Sequence, residues 1–90
     1  MRLILRTSQF KRDVKRLEKR SKDLGKLKDI FLVLARGEEL AQRYSDHLLV
    51  GQYKGTRECH IEPDWLLIYE RTENELILIR TGSHADLFKS

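Results

Sequence analysis

The stretch "RECHIEPDWLLIYE", residues 57–70, decides the fold. Apolar and polar residues alternate from Thr56 to Glu62, which is typical of a strand with one buried face. Pro63 and Asp64 favour a tight turn, because proline presets φ and aspartate bonds its own backbone. The nearly all-apolar run from Trp65 to Glu70 then predicts a central strand. The stretch therefore predicts a β-hairpin.

One strand and two helices are predicted before the hairpin. "RLILR", at residues 2–6, fits a short buried strand, and Thr7-Ser8 is a helix-start signal. Apolar residues then recur with the period of an amphipathic helix, while Lys and Arg fill the opposite face. Gly25 is predicted to break this helix, and Gly37 to end a second one. Residues 38–55 lack a sustained period and predict a loop that has room for one short helical turn.

A last strand and a final turn follow the hairpin. Leu76 to Thr81 predicts the strand, and Ser83 with Asp86 resembles a capping box that opens a short turn. The predicted order is β-α-α-β-β-β, an α+β fold with two helices on one face of a mainly antiparallel sheet. The other face is expected to stay partly open. The expected core consists of Phe10, Val14, Leu17, Leu27, Phe31, Ile61, Leu66, Ile68, Ile77 and Ile79.

Composition limits the class of protein. The 90 residues contain no Pro/Gly/Ser-rich linker and no internal repeat, so a single domain spanning residues 1–90 is expected. With 40% hydrophobic and 36% charged residues, the chain is too apolar for a disordered segment and too interrupted by charge to span a bilayer. The N-terminus lacks the apolar core of a signal peptide, and the single Cys59 cannot form an internal disulfide. A cytoplasmic protein is therefore expected.

Positive charge is concentrated in the first third of the chain. Residues 1–29 carry eleven Lys and Arg against four Asp and Glu, a balance of +7, whereas residues 30–90 sum to −3. A basic patch of this density attracts nucleic acid through release of counterions. The alternative is a solvated helix face that serves only solubility, and charge alone does not decide between the two.

The predicted open face collects polar and aromatic residues that a hairpin does not need. His60 lies on this face, with Asp64 and Trp65 at its turn, while His84 approaches from the end of the sheet and His47 from the loop. Phe88 adds a second aromatic ring. Three basic residues would edge the resulting groove: Lys54, Arg57 and Arg80.

This set of residue types suits cleavage of single-stranded RNA. RNA supplies its own nucleophile, the 2′-OH, so the protein has only to remove that proton, protonate the 5′-oxygen and stabilise charge on the phosphorane. Histidine, with a reference pKa near ~6.5, suits both proton transfers at neutral pH. Arg and Lys supply the electrostatic stabilisation, and Trp65 or Phe88 could hold a base by stacking.

The segments "DHLL", "YKGTRECHIEPDWLLIYE" and "RTGSHADLF" resemble the YafQ branch of the RelE/ParE toxin superfamily. The resemblance implies the toxin of a type II toxin–antitoxin pair. It also implies a ribosome-dependent endoribonuclease that cleaves mRNA in the decoding site of the small subunit, with a cognate antitoxin protein as partner and no membrane association. One departure is "HLLVGQYKG", since relatives commonly have a proline after the histidine.

By this resemblance, the functional positions are His47, His60, Asp64, Trp65, His84 and Phe88. His84 would be the general acid, and Asp64 with His47 or His60 would be the general base and its support. Ribosome docking is implied through basic residues of the first helix. These are Lys11, Arg12, Lys15, Arg16, Lys19, Arg20 and Lys22.

Two other functions compete with this interpretation. A non-catalytic toxin of the same fold, like the gyrase-inhibiting ParE branch, would have no use for a cluster of His60, Asp64 and His84. A zinc or iron site could use the three histidines and Asp64, but they have neither helical i, i+4 spacing nor a CxxC-like partner. The sequence therefore predicts an enzyme with no metal and no small-molecule cofactor.

Overall fold

The computed structural model describes residues 1–53 and 55–88, which form one five-stranded sheet and three helices. The strands are β1 (Leu3–Arg6), β2 (His47–Leu48), β3 (Arg57–Glu62), β4 (Trp65–Arg71) and β5 (Glu75–Gly82). The helices are α1 (Ser8–Lys19), α2 (Leu24–Ala35) and α3 (His84–Leu87), and short 3-10 turns cover Gln42–Tyr44 and Gly51–Tyr53. The strand order is β1-β5-β4-β3-β2, with β1 parallel to β5 and the other pairs antiparallel. The predicted α+β fold is confirmed.

The two long helices begin at side-chain caps. Thr7 caps α1 by accepting the Phe10 N–H, as the start signal predicted, and Asp23 caps α2 by accepting the Gly25 N–H. The prediction that Gly25 breaks the helix was therefore wrong, since Gly25 lies in the first turn of α2. The break lies between Arg20 and Asp23, and this segment contains no glycine. Gly37 has a φ of 81° and follows the end of α2, as expected of a helix-terminating glycine.

The main core lies between the helices and one face of the sheet, called here the helix-covered face. Its sheet residues are Cys59, Ile61, Trp65, Leu67, Tyr69, Leu76 and Leu78; its helix residues are Phe10, Leu17, Leu27, Ile30, Leu34 and Ala35. Val14 and Phe31 pack against it while partly exposed.

The prediction of which residues of β4 and β5 face the helices was wrong. Leu66 and Ile68 form a smaller cluster with Leu87 on the opposite face, called here the open face, and Ile79 packs against that cluster. Ile77 is only partly buried. Because β4 is apolar on both faces, its period does not indicate which side meets the helices.

Beyond the end of β1, the start of helix α1 supplies hydrogen-bond partners for the backbone of β5. The Thr7 N–H donates to the Leu78 carbonyl at 3.1 Å, and the Thr7 hydroxyl donates to the Ile79 carbonyl at 2.7 Å. Further along, the Thr81 N–H donates to Asp13 Oδ2 at 3.1 Å. Buried Asp13 therefore completes the pairing of a sheet edge that would otherwise be left unsatisfied.

Two irregularities bend the sheet beside the residues singled out by the sequence. The β3–β4 register shifts between His60 and Glu62, and the β4–β5 register shifts between Ile68 and Tyr69. Each shift places one extra residue on a strand, Ile61 in β3 and Ile79 in β5, which is typical of a β-bulge. Bulges increase local twist and redirect side chains, here next to His60 and Arg80.

None of the helices in the described ranges combines the length and the hydrophobicity needed to cross a bilayer.

Candidate functional site

The three histidines form a row along one end of the open face, called here the imidazole row. The ring centroids of His47 and His60 are 6.4 Å apart, and those of His60 and His84 are 5.8 Å apart. His47 comes from β2, His60 from β3 and His84 from the first residue of α3. The convergence of the three histidines predicted from the sequence is thus present.

Asp64 holds His84 through two hydrogen bonds. Asp64 Oδ1 accepts the His84 backbone N–H at 2.9 Å and lies 2.7 Å from Nδ1 of the ring. The backbone donor, followed by the ring, lowers the pKa of the Asp64 carboxyl from its ordinary value. Asp64 therefore supports His84, whereas the resemblance had grouped it with His47 or His60.

A capping box fixes the short helix that carries His84. Ser83 accepts the Asp86 N–H, and Asp86 accepts the Ser83 N–H, as the sequence predicted. The Arg20 guanidinium donates to both Asp86 oxygens, at 2.7 and 3.1 Å. This ion pair, followed by the Ser83 donors, holds the pKa of Asp86 well below its usual range against the opposing effect of burial. Helix α3 is thus attached to the end of α1.

A buried carboxylate stands between the other two histidines. Glu58 is 6% exposed, and its Oε2 lies 3.3 Å from His47 Nε2 and 3.4 Å from His60 Nε2. His47 Nδ1 lies 2.6 Å from the Ser45 carbonyl oxygen, and since a carbonyl only accepts, this nitrogen carries a proton. Glu58 was not among the predicted site residues, although the alternation of β3 places it on the same face as His60.

The aromatic residues divide into one that is accessible and one that is not. Phe88 is 38% exposed, its ring lies 6.3 Å from that of His84, and it meets the Tyr53 ring edge-on at 5.8 Å. Trp65 is fully buried on the helix-covered face, and its indole N–H donates to the Thr81 hydroxyl at 2.9 Å. Stacking of a base on Trp65 is incompatible with this burial. Its role is to anchor β4 to β5, and Tyr53, which the sequence analysis missed, is the second aromatic residue at the site.

Arg80 points its guanidinium toward Tyr53 under the control of Asp13. Its Nε and Nη2 donate to the two oxygens of Asp13, both at 2.9 Å, and its Nη1 donates to the Tyr53 hydroxyl at 3.4 Å. Burial alone would raise the pKa of Asp13, but hydrogen bonds from Arg80, Thr81 and Gln9 outweigh it and leave the pKa lowered. Arg80 is therefore a fixed positive charge beside the accessible aromatic pair.

Arg57 does not join this group. The alternation of β3 puts Arg57 with Cys59 on the helix-covered face, and its Nε donates to Asp46 Oδ1 at 3.0 Å. The same oxygen accepts the Tyr69 hydroxyl at 2.7 Å. An RNA-binding role for Arg57 on the open face is thus incompatible with its position. Lys54, also predicted to bind RNA, lies outside the described residues.

The basic residues of α1 and its C-terminal flank fall into two groups. Arg16 is paired with Asp13, Arg20 with Asp86, and Lys22 with Glu62. The others are exposed and form no ion pair within residues 1–53 and 55–88; they are Lys11, Arg12, Lys15 and Lys19. Lys11, Lys15 and Lys19 are spaced four residues apart, so they form one stripe along the helix.

No group of three or more His, Cys, Asp or Glu among the residues that the structure describes is arranged to hold a metal ion.

Three comparisons relate the chain to known proteins. Residues 2–89 match the family described as "Bacterial toxin of type II toxin-antitoxin system, YafQ". The chain is 46% identical over 83 residues to the mRNA interferase toxin YafQ of Escherichia coli K12, covering 91% of this chain and 90% of that protein.

Solved structures agree with the sequence match. A crystal structure of the E. coli DinJ–YafQ complex matches with a TM-score of 0.90 and 45% identity, covering 98% of this chain and 99% of the other. A metal-bound toxin from Helicobacter pylori matches with a TM-score of 0.90 and 43% identity, covering 98% of this chain and 100% of the other. The chain belongs to the YafQ family of bacterial toxins of type II toxin–antitoxin systems.

Proposed function

We propose that this protein is the toxin of a type II toxin–antitoxin pair and acts as an endoribonuclease on mRNA. Membership of the YafQ family and 46% identity to a protein named as an mRNA interferase toxin support the activity. The observation that carries the chemistry is the pair His60 and His84. Their rings are 5.8 Å apart, and each has its own carboxylate neighbour.

The nitrogens left free in the imidazole row support an assignment of the two proton transfers. His47 has Nδ1 on the Ser45 carbonyl and Nε2 facing Glu58, so neither nitrogen is free. His84 uses Nδ1 for Asp64 and His60 presents Nε2 to Glu58. Within the described ranges, His60 Nδ1 and His84 Nε2 form neither a hydrogen bond nor an ion pair, whereas the other ring nitrogens each face an oxygen. These two atoms are the proposed base and acid.

The reaction follows from this assignment. His60 Nδ1 removes the 2′-OH proton while the 2′-oxygen forms a bond to the adjacent phosphorus. The bond from phosphorus to the 5′-oxygen breaks, and His84 Nε2–H donates its proton to that oxygen. The products are a 2′,3′-cyclic phosphate and a 5′-hydroxyl, and the two histidines have exchanged protonation states.

Arg80, Phe88 and Tyr53 complete the proposed site. The Arg80 guanidinium, fixed by Asp13, supplies positive charge for the phosphorane without having to reorganise during the reaction. Phe88 offers an exposed ring for one base, supported edge-on by Tyr53. The row is open, with His47 and His84 side chains about half exposed, which suits a polymer lying across it.

The proposed place of action is the ribosome, with mRNA in the decoding site as substrate, and hence the cytoplasm. The stripe of Lys11, Lys15 and Lys19 forms no ion pair with the residues that the structure describes. It supports docking to ribosomal RNA, because three exposed positive charges can meet phosphates. Arg16, Arg20 and Lys22 are committed to carboxylates and contribute less. Reversing the charge of all three stripe lysines should weaken ribosome association and make it less dependent on salt. Lys28→Glu, at an exposed position of α2, serves as the control.

The proposed regulator is a cognate antitoxin protein. The solved E. coli relative is a complex of YafQ with DinJ. Co-expression of this chain with a small protein encoded beside it should restore growth that the chain alone arrests.

The deciding experiment is primer extension on a defined mRNA, with and without programmed ribosomes. We expect wild-type cleavage in the decoding site, loss of about 10²-fold or more for His84→Ala and for His60→Ala, and a smaller loss for His47→Ala. Circular dichroism and ribosome co-sedimentation of each variant separate chemistry from folding and binding. If folded, ribosome-bound wild type does not cleave, the non-catalytic class of toxin becomes the better explanation.

A further inference from the structure

Helix α3, which carries the proposed acid His84, is too short to be stable by itself. It has only four residues, and a single helical turn does not persist in water without tertiary contacts. At its end, Leu87 is 2% exposed and belongs to the small cluster on the open face. At its start, the His84 side chain is about half exposed. Leu87 therefore anchors the end of α3, and the position of its start depends on other contacts.

Arg20 supplies one such contact from a distant part of the chain. Its Nη1 and Nη2 donate to Asp86 Oδ2 and Oδ1 at 2.7 and 3.1 Å, and this bidentate pairing fixes direction as well as distance. Arg20 is the C-cap residue of α1 and lies 66 positions before Asp86 in the sequence. The Asp86 side chain is only 10% exposed, so it is held between α1 and the turn that opens α3.

Asp86 carries the contact on to the backbone beside His84. The Oδ2 atom that meets Arg20 also accepts the Ser83 N–H at 3.0 Å, and Ser83 Oγ accepts the Asp86 N–H at 3.1 Å. Gly82 has a φ of 155°, and a Cβ at this position would lie 2.9 Å from Asp86 Oδ2. Glycine therefore leaves the space that the carboxylate occupies. A continuous series of hydrogen bonds runs from Arg20 through Asp86 to the residue that precedes His84.

We propose that Arg20 is a positioning residue for RNA cleavage: by holding Asp86, it sets where His84 Nε2 lies relative to the 5′-oxygen, a role that rests on the proposed function. A general acid must be within hydrogen-bond reach of the leaving oxygen, and a displacement of about 1 Å can cost about 10²-fold in rate. Asp64 orients the ring of His84. Arg20 acts on the backbone that carries this ring, whereas a docking charge would act on ribosome association.

The first test compares Arg20→Gln, Arg20→Lys and the control Arg36→Gln in ribosome-dependent cleavage. Gln keeps a hydrogen-bond donor but loses the charge and the bidentate geometry, and we expect kcat to fall about ten-fold with KM changed less than about two-fold. Lys restores the charge without the planar fork and should regain about three-fold of that loss. Arg36 is also a helix C-cap residue paired with a carboxylate, but its partner is exposed Glu38, so its variant should cleave at the wild-type rate.

The same kinetics contain the result that would overturn the proposal. If Arg20→Gln raises KM and leaves kcat unchanged, Arg20 is a docking charge and does not position His84.

A second variant separates the ion pair from the capping box. In Asp86→Asn, an amide oxygen remains for the Ser83 N–H, but the negative charge that Arg20 pairs with is lost. This variant should lower kcat about as much as Arg20→Gln, and the double variant should be no slower than the slower single one. Losses that multiply in the double variant would show that the two residues act independently, contrary to the proposal.

Amide hydrogen exchange tests the positioning without a cleavage assay. The N–H groups of Leu87 and Phe88 donate to the Ser83 and His84 carbonyls, and they should exchange faster in Arg20→Gln, while the amides of β4 keep their wild-type rates. Unchanged exchange in α3, or an equal loss of protection throughout the sheet, would contradict the proposal. Failure of the wild type to cleave at all is a different result, and it would remove the proposed function instead.

Discussion

Replacement of Asp13 by alanine should be the most damaging change outside the imidazole row. Asp13 has no solvent exposure and accepts hydrogen bonds from the Arg80 guanidinium, the Thr81 N–H and Arg16. The substitution leaves a positive charge without its partner and a strand N–H without an acceptor. It also removes the group that aims Arg80 at the proposed phosphate position.

The size of the effect follows from these contacts. Removing one partner of a buried ion pair typically costs about 3–5 kcal/mol, and an orphaned buried N–H about 1–3 kcal/mol. The two are not additive, and water reaches part of Arg80, whose side chain is 18% exposed. We therefore expect a loss of about 3–4 kcal/mol in the free energy of unfolding, toward the lower end of the range for a buried ion pair. For a domain of this size, that lowers Tm by at least about 12 °C.

Thermal and urea unfolding of Asp13→Ala measure this directly, with Glu18→Ala as the matched control. Glu18 is an exposed acid on the same helix and forms no ion pair in the described ranges, so its loss should change stability by less than about 0.5 kcal/mol. Equal Tm values for the two variants would show that Asp13 is not the acceptor that the structure describes. Normal cleavage by a folded Asp13→Ala protein would separately show that Arg80 needs no positioning.

Four other outcomes are expected. Phe88→Ala should reduce cleavage about ten-fold through lost stacking, and it should destabilise the fold by no more than about 1.5 kcal/mol. A large drop in Tm would contradict this expectation. Asp64→Asn, which keeps an acceptor for the His84 N–H but loses the charge, should lower kcat about ten-fold with folding intact; an unchanged kcat would remove Asp64 from the acid half of the site. Because the folded state lowers the pKa of Asp13, its stabilisation is present above the unfolded value of ~3.9 and lost as pH falls through the folded one. Acid unfolding curves should thus be flatter for Asp13→Ala than for the wild type below about pH 4. Cleavage should survive exhaustive chelation once magnesium is restored for the ribosome, whereas rescue only by zinc, copper or iron would indicate a metal enzyme.

Local signals in the sequence predicted most of the fold. The Pro63-Asp64 turn and the capping box of Ser83 and Asp86 depend on neighbours within a few residues, and both are present. The side of β4 that meets the helices was predicted wrongly, because both sides are apolar and only tertiary packing distinguishes them. The same error explains why Trp65 was predicted to stack on a base, although it is buried on the helix-covered face.

The membership of the site was predictable only in part, and its contacts were not predictable. The predicted layout of the sheet brought His60, Asp64 and His84 together, and the structure places His84 beside His60 with Asp64 bonded to it. The contact of Glu58 with His47 depends on β2, a strand of two residues that leaves no periodic signal. Glu58 became visible as a site residue only when β2 set His47 opposite it.

The pairing of β1 with β5 has a consequence for synthesis of the protein. The Thr7 hydroxyl bonds the Ile79 carbonyl across 72 positions of sequence, so the first strand made has no partner until nearly the whole chain exists. The same late segment carries Arg80, His84 and Phe88. A chain interrupted before β5 therefore lacks both the partner strand of β1 and the proposed acid residue, so the sheet and the proposed site are completed together at the end of synthesis.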